Sequence, residues 1–595
     1  MVLQPLSIFL WAASALALCP DRSDGASGPQ IPFSLKDTND ASASKALPVV
    51  DLGYAKHGAV PSGNDGLYKF QNIRYAAPPT GKRRFKAPQS PLPNLSSTIE
   101  YGWGRKECPQ AMIKWVDNFP TEPCDDSEGQ CECCKEEDNE GNCIAECDAA
   151  GPEKKPPKKL LGGLLPNLTS PLLYSEDCLH LDVWTPKTAF DGGEKKPVLV
   201  WIYGGAYIFG GKSLYLPGPL IRRATINDRG GMVFVAMNYR MGALGFAAGR
   251  DIADEDLNAG LLDQQQALRW VQDHIEKFGG DPNQVTIAGL SAGGGSVLHH
   301  LTAYGGEKEV LFRRAISFSG GWQPIVDQDI ADTTFREFMR LNGVSSLADL
   351  RDENKVSEEQ IMKANFDQIQ KAPPGSFLYN PTAWGHFAPK SPTKLFYDNK
   401  FLKDIDVILS HVQDEGGAFV GAFKEHGTTV PKFVDLAFPN IIKDDKEWIL
   451  DTYHSGYSDV EDIARIIGDA TFRCHITYAS DAKERKLWRQ KWNTMQDNGH
   501  GGDLFYLFYR PGLRVTSVRA ALILQDYVAT FVTSGIPTTS VKNPPGFRQP
   551  APYKQQILDG RVQYFDSAMG GFPKVWRGES EMEEICRVWQ SMTIT

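Results

Sequence analysis

The sequence predicts an α/β protein built on a central, mostly parallel β-sheet flanked by helices. Apolar runs of four to six residues recur along the chain, helical spacing fills stretches between them, and Gly or Pro residues punctuate both. The run Val198-Leu199-Val200-Trp201-Ile202 reads as one strand and Met232-Val233-Phe234-Val235-Ala236-Met237 as the next. Between Asn258 and Phe278 the spacing of Leu268, Val271, Ile275 and Phe278 is that of one helix face, and Gly279-Gly280 ends it. Val285-Thr286-Ile287-Ala288 and Ile405-Asp406-Val407-Ile408-Leu409 read as a third and a fourth strand. A late helix over 515–533 stops at Ser534-Gly535, with Pro537 beyond. Strands alternating with helices imply parallel pairing with both sheet faces covered, which explains apolar runs without polar alternation. The stretch 543–552, with four Pro and a Gly, reads as a surface excursion.

The chain has 595 residues, 63 Lys+Arg against 73 Asp+Glu, and a formal charge of -10. A nucleic-acid binder needs a basic surface to neutralise phosphates, so that class is excluded. With 41% hydrophobic and 23% charged residues the composition is globular, which excludes wholesale disorder and collagen-like or coiled-coil classes. An apolar run from Leu6 to Leu18, with small residues at its exit, is too short to span a bilayer, so residues 1–17 are expected to be a signal peptide and the protein to be secreted. Residues 18–46 read as a loose leader rich in Ser, Asp, Gly and Pro, and 47–595 as a single domain carrying a Cys-rich acidic insertion over 109–177. Asn94-Leu95-Ser96 and Asn167-Leu168-Thr169 are glycosylation candidates that secretion would make usable.

Of the 11 Cys, Cys19 lies at the signal boundary and ten lie beyond it, an even number that suits a disulfide framework in an oxidising compartment. Six crowd between Cys124 and Cys147, where the absence of any His argues for bridges over a zinc cluster. Six Cys allow 15 pairings, and the sequence ranks none. Between Glu122 and Asp148 there are eleven acidic residues and one basic residue, Lys135, a net of -10 that equals the charge of the whole chain.

The chemistry is carried by Gly289-Leu290-Ser291-Ala292-Gly293, which lies between the strand at 285–288 and a following helix. A strand that turns this tightly into a helix tolerates only Gly two residues either side of the serine, and it thrusts the Ser291 hydroxyl outward at a helix N-terminus. A hydroxyl attacking a carbonyl needs a base for its proton and N–H donors for the resulting oxyanion. Tyr203-Gly204-Gly205-Ala206 follows the first strand directly, so the backbone N–H groups of Gly205, Ala206 and Ala292 are the candidate donors. A Gly-rich turn without a ligand is the plain alternative for either motif.

These two motifs, together with Glu176-Asp177-Cys178-Leu179-His180-Leu181-Asp182-Val183-Trp184 and Asn238-Tyr239-Arg240-Met241-Gly242-Ala243-Leu244-Gly245-Phe246, resemble type-B carboxylesterases. That family of α/β-hydrolases includes cholinesterases and secreted fungal lipases. The run Leu298-His299-His300-Leu301-Thr302-Ala303-Tyr304-Gly305-Gly306 is similar to the fungal branch. The resemblance covers about 49–589. It implies an α/β-hydrolase fold with helical cap excursions and a large flap, and a Ser-Glu-His triad in that order. The acid falls on Glu415 in Asp414-Glu415-Gly416, with Asp414 the runner-up, and the histidine on His500 in His500-Gly501-Gly502-Asp503. His299 and His300 follow the elbow too closely to swing back to Ser291, and His426 and His454 lack the local pattern. Ser319 matches a serine expected to buttress the histidine. Cys108 and Cys178 occupy the places of a flap disulfide, and Cys474 and Cys586 those of a late one.

The resemblance thus implies cleavage of small-molecule or lipid esters through an acyl-enzyme, with no metal or organic cofactor. Acyl transfer or tailoring of a secreted metabolite by the same triad, and a noncatalytic binding role on this fold, are the alternatives. Many relatives carry Glu before the nucleophile where this chain has Leu290, so a changed internal hydrogen-bond network is expected there. The insertion is expected to form an acidic knob on the flap, its leucines at 160–168 lining the entrance or meeting lipid; a solvated loop remote from the site is the alternative.

Overall fold

The computed structural model describes residues 47–62, 66–93, 98–104, 106–113, 174–226, 230–454, 456, 458–482, 487–493, 498–513, 515–541, 561–566, 572–577 and 580–594. The signal peptide and leader, Asn94, Asn167, the six clustered Cys, nearly all of the 109–177 insertion and the 543–552 stretch lie outside the described residues.

The strands run in chain order β1 Val49–Asp51, β2 Lys56–Gly58, β3 Leu67–Arg74, β4 Ile99–Glu100, β5 His180–Pro186, β6 Lys196–Ile202 and β7 Val233–Met237. They continue with β8 Gly280–Leu290, β9 Arg314–Phe318, β10 Asp406–Val412, β11 Leu487–Asn493, β12 Arg561–Asp566 and β13 Phe572–Arg577. β1, β2 and β4 form a small sheet; the others form one large sheet in the order β13-β12-β11-β10-β9-β8-β6-β7-β5-β3. Pairing is parallel from β7 through β6, β8, β9, β10 and β11 to β12, and antiparallel at both edges. Every residue of β7 and β9 is buried, as expected of strands covered on both faces, and β7 is an unbroken apolar run. The expected α/β-hydrolase sheet is therefore present, and longer than the sequence runs implied.

The chain leaves β6 to form β7 on one side and returns to form β8 on the other. Such a reversal opens a crevice at the carboxyl ends of the two diverging strands. Both chemistry-bearing turns, 203–206 after β6 and 291 after β8, sit there. Helix Ala259–His274 and its single-turn extension Ile275–Phe278 bury Leu268, Val271, Ile275 and Phe278 and stop at Gly279, whose φ is +81°. Helix Val518–Ser534 starts where the Ser517 hydroxyl accepts the Ala520 N–H and ends at Gly535, φ +75°. Helices Gln328–Leu341, Glu358–Gln370, Val430–Ala437, Lys443–Thr452, Asp459–Gly468 and Cys474–Asp481 make up the cap excursions. Disulfides Cys108–Cys178 and Cys474–Cys586 close as the resemblance implied.

Candidate active site

Ser291 stands at the corner between β8 and helix Ala292–Thr302, with φ +58° and ψ -124°. A positive φ on a residue with a side chain stores strain, and three backbone bonds hold it here. The Ser291 N–H donates to the Phe318 carbonyl at 2.9 Å, and the Ser291 carbonyl accepts the N–H groups of Gly295 at 2.7 Å and Gly321 at 3.1 Å. The flanking glycines are sterically required: a Cβ on Gly289 would lie 2.5 Å from the Gly293 carbonyl, and one on Gly293 would lie 2.1 Å from the Ile202 oxygen. The tight turn read from the sequence is thus a contact between β6, β8 and the helix.

The turn after β6 lies hard against this corner, since a Cβ on Gly204 would sit 2.9 Å from that of Ser291. Gly205 and Ala206 have φ of +124° and +52°, and the Gly205 carbonyl turns away to accept the N–H groups of Ile208 and Phe209 at 3.0 Å. Ala206, Ala292 and Ser291 line one cavity that opens to solvent. Two of the three candidate N–H donors therefore belong to residues facing the space in front of Ser291.

Glu415 and His500 meet, 85 residues apart in sequence: the carboxylate Oε2 lies 2.5 Å from the ring Nδ1. The other oxygen, Oε1, accepts the Val412 N–H at 2.9 Å. Both side chains are fully buried. Burial alone would raise the Glu415 carboxyl, but the His500 charge and hydrogen bond outweigh it and hold the group below the usual carboxylate range. The two loops are stitched by a bridge between Asp414 and Gly499, with the Asp414 N–H donating to the Asn498 carbonyl at 3.0 Å. Asp414 instead folds back, accepting the Gly417 N–H at 2.8 Å. Geometry selects Glu415 over Asp414 as the partner of His500.

The other histidines go elsewhere. His299 Nδ1 lies 2.9 Å from the Gly295 carbonyl and His300 Nε2 lies 3.0 Å from Gln264, and burial pushes these imidazoles down to about 4 and about 3. His426 and His454 are exposed. Ser319, φ +44°, donates its N–H to Ser410 at 2.7 Å, and its buried hydroxyl makes no hydrogen bond among the described residues.

Sequence reasoning missed the cavity wall. Trp322 follows β9, Phe377 and Asn380 come from the cap, Phe419 follows β10, and Phe472 lies in a helical turn before Cys474. Met112 and Ile113, at the start of the insertion, line the same cavity. No motif marks these positions; each is set by where a strand exit, the insertion or a cap segment lands. Phe419 and Phe472 also pack on the His500 ring, with centroids 5.4 and 4.3 Å away, which puts that ring directly behind the wall.

The sequence profile of the carboxylesterase family matches residues 56–563. The chain belongs to the carboxylesterase family. It is a carboxylic ester hydrolase on the α/β-hydrolase fold. This carboxylesterase is 36% identical over 412 residues to a protein named carboxylesterase patB of Aspergillus clavatus, covering 67% of this chain and 70% of that one. It is 30% identical to a secreted lipase of Arthroderma benhamiae, covering 70% and 83%. The crystal structure of Aspergillus niger EstA superposes with a TM-score of 0.72 at 25% identity, covering 92% of this chain and 99% of that one.

One buried acid of the carboxylesterase has no obvious structural return. Asp503 is 1% exposed, its carboxylate meets only the backbone N–H groups of Asp503 itself and Leu504 among the described residues, and burial, then the charge of Glu415, push its carboxyl up to about 7. The folded state therefore holds a proton that the unfolded chain releases near 3.8. Its contribution to stability is full below that value and is lost as pH rises through about 7. Asp503→Asn is accordingly expected to raise the melting temperature at pH 8 and much less at pH 5; equal shifts at both would refute the assignment.

Proposed function

We propose that this enzyme hydrolyses carboxylic esters with Ser291 as nucleophile, His500 as general base and acid, and Glu415 as the group that orients His500. The observation that carries this reading is the buried Glu415–His500 pair, 2.5 Å apart, behind the wall of the cavity into which the strained Ser291 turn projects. His500 Nε2 takes the Ser291 proton as Oγ attacks the carbonyl carbon. The oxyanion is received by the N–H groups of Gly205, Ala206 and Ala292, each such donor contributing about 3 kcal/mol in comparable sites. Collapse of the intermediate expels the alcohol, which leaves with the proton His500 received, and water then repeats the sequence to free the acid. Acyl transfer to an alcohol would use the same acyl-enzyme, and product analysis with an acceptor alcohol separates it from hydrolysis.

Secretion is part of the same reading, supported by the apolar N-terminal run, the disulfides and the relatives named secreted lipases. So are a single hydrolase domain over 47–595, lipid contact through the 109–177 insertion, and glycosylation at Asn94 and Asn167. The decisive test pairs p-nitrophenyl esters of short and long acids with a fluorophosphonate probe and peptide mapping. Turnover with label on Ser291 is expected; turnover with label elsewhere, or none, would end the assignment.

A further inference from the structure

Phe472 occupies a place that no functional motif of the sequence marks. It lies in a π-helical turn, Asp469–Arg473, spliced between helices Asp459–Gly468 and Cys474–Asp481. A π-turn inserts one extra residue into a helix and re-aims the side chains around it, and such turns recur at functional sites. Here the turn drives the Phe472 ring between two parts of the proposed machinery. One face packs on His500, centroids 4.3 Å apart. The other side abuts Gly321, where an added Cβ would lie 2.3 Å from the ring, and the Gly321 N–H holds the Ser291 carbonyl. Phe419 stacks on Phe472 at 5.6 Å and packs on the imidazole beside it, 5.4 Å away.

The turn is clamped from outside the site. Arg473 pairs with Asp469 across it at 2.7 Å. The Tyr453 hydroxyl donates to Asp469 at 2.9 Å and accepts the Trp589 indole N–H at 2.9 Å, so helix Ser580–Ile594 grips its first residue. The residue just after it, Cys474, is bonded to Cys586 of the same helix, whose carbonyl accepts the Tyr478 hydroxyl at 2.7 Å. Neither Tyr453 nor Trp589 lines the Ser291 cavity.

We propose that Phe472 is a positioning residue that sets the distance between Ser291 and His500, and that helix Ser580–Ile594 holds it there through Tyr453 and the Cys474–Cys586 disulfide. The inference rests on the assignment of Ser291 and His500 as nucleophile and base. A displaced base is costly, because an error of about 1 Å in a reacting group lowers rates by about 100-fold. Nothing comparable is asked of an ordinary wall residue, which changes which esters bind.

The test uses the full chain and esters of two acyl lengths, p-nitrophenyl acetate and butyrate. Phe472→Ala is expected to lower kcat by about 10- to 100-fold, by the same factor for both esters, and Phe472→Leu by less. Tyr453→Phe, remote from the cavity, is expected to lower kcat by about threefold or more with KM unchanged in folded protein. Combined with Phe472→Ala it should lower kcat no further, because both act through one ring. Loss of KM alone, different factors for the two esters, an unchanged kcat in Tyr453→Phe, or additive effects would overturn the proposal. If wild-type protein carries no fluorophosphonate on Ser291, the underlying assignment fails instead.

Discussion

Ser291→Ala is expected to lower kcat by about 10⁴- to 10⁶-fold and to abolish fluorophosphonate labelling, with the melting temperature little changed. The proposed mechanism loses its attacking atom, while the three backbone bonds at residue 291 survive because they use its N–H and carbonyl. Alanine keeps the Cβ that the positive φ already accommodates, so the corner need not rebuild. The residual rate would come from the N–H donors and from binding alone. A variant that retains more than a hundredth of wild-type kcat would place the nucleophile elsewhere.

Glu415→Gln is expected to lower kcat by about 10⁴-fold with a smaller change in KM. Both oxygens of Glu415 face donors, His500 Nδ1 at one and the Val412 N–H at the other. An amide supplies only one acceptor. Whichever way Gln is turned, its NH₂ opposes a donor, and turning the amide N toward the ring favours the tautomer that places the imidazole proton on Nε2. That tautomer cannot take the serine proton. The variant also loses the negative charge that stabilises imidazolium as the intermediate forms. Asp414→Asn, whose oxygen serves only the local Gly417 N–H in the bonds described, should by contrast retain most of the activity. Equal losses in the two variants would overturn the choice of Glu415.

Much of this site was legible because its parts are governed by local backbone demands. Gly289 and Gly293 announce Ser291 since no larger residue fits the contact with β6, and Asp414-Glu415-Gly416 follows a recognisable apolar strand. Four core strands were readable for the same reason: buried on both faces, they show unbroken apolar runs. β11 was not, because Leu487–Asn493 mixes Arg489, Gln490 and Lys491 with Trp488 and Trp492, so that its polar content hides a central strand. β9 was overlooked as a five-residue piece beginning with Arg314. Phe472, Phe419 and Trp322 were invisible for a different reason. Their roles depend on tertiary placement, and a π-turn leaves no periodicity that a single sequence reveals.

The cavity is built from two kinds of chain. Ser291, Glu415 and His500 lie just past the carboxyl ends of strands, and the first of these is locked by contacts that admit no side chain at Gly289 or Gly293. Phe377 and Met112 come from segments whose course the sheet does not dictate. Variation is therefore affordable on one side and lethal on the other. A lineage, or a mutagenesis library, can trade one acid or alcohol for another by altering three or four loops, without ever having to reinvent the reaction.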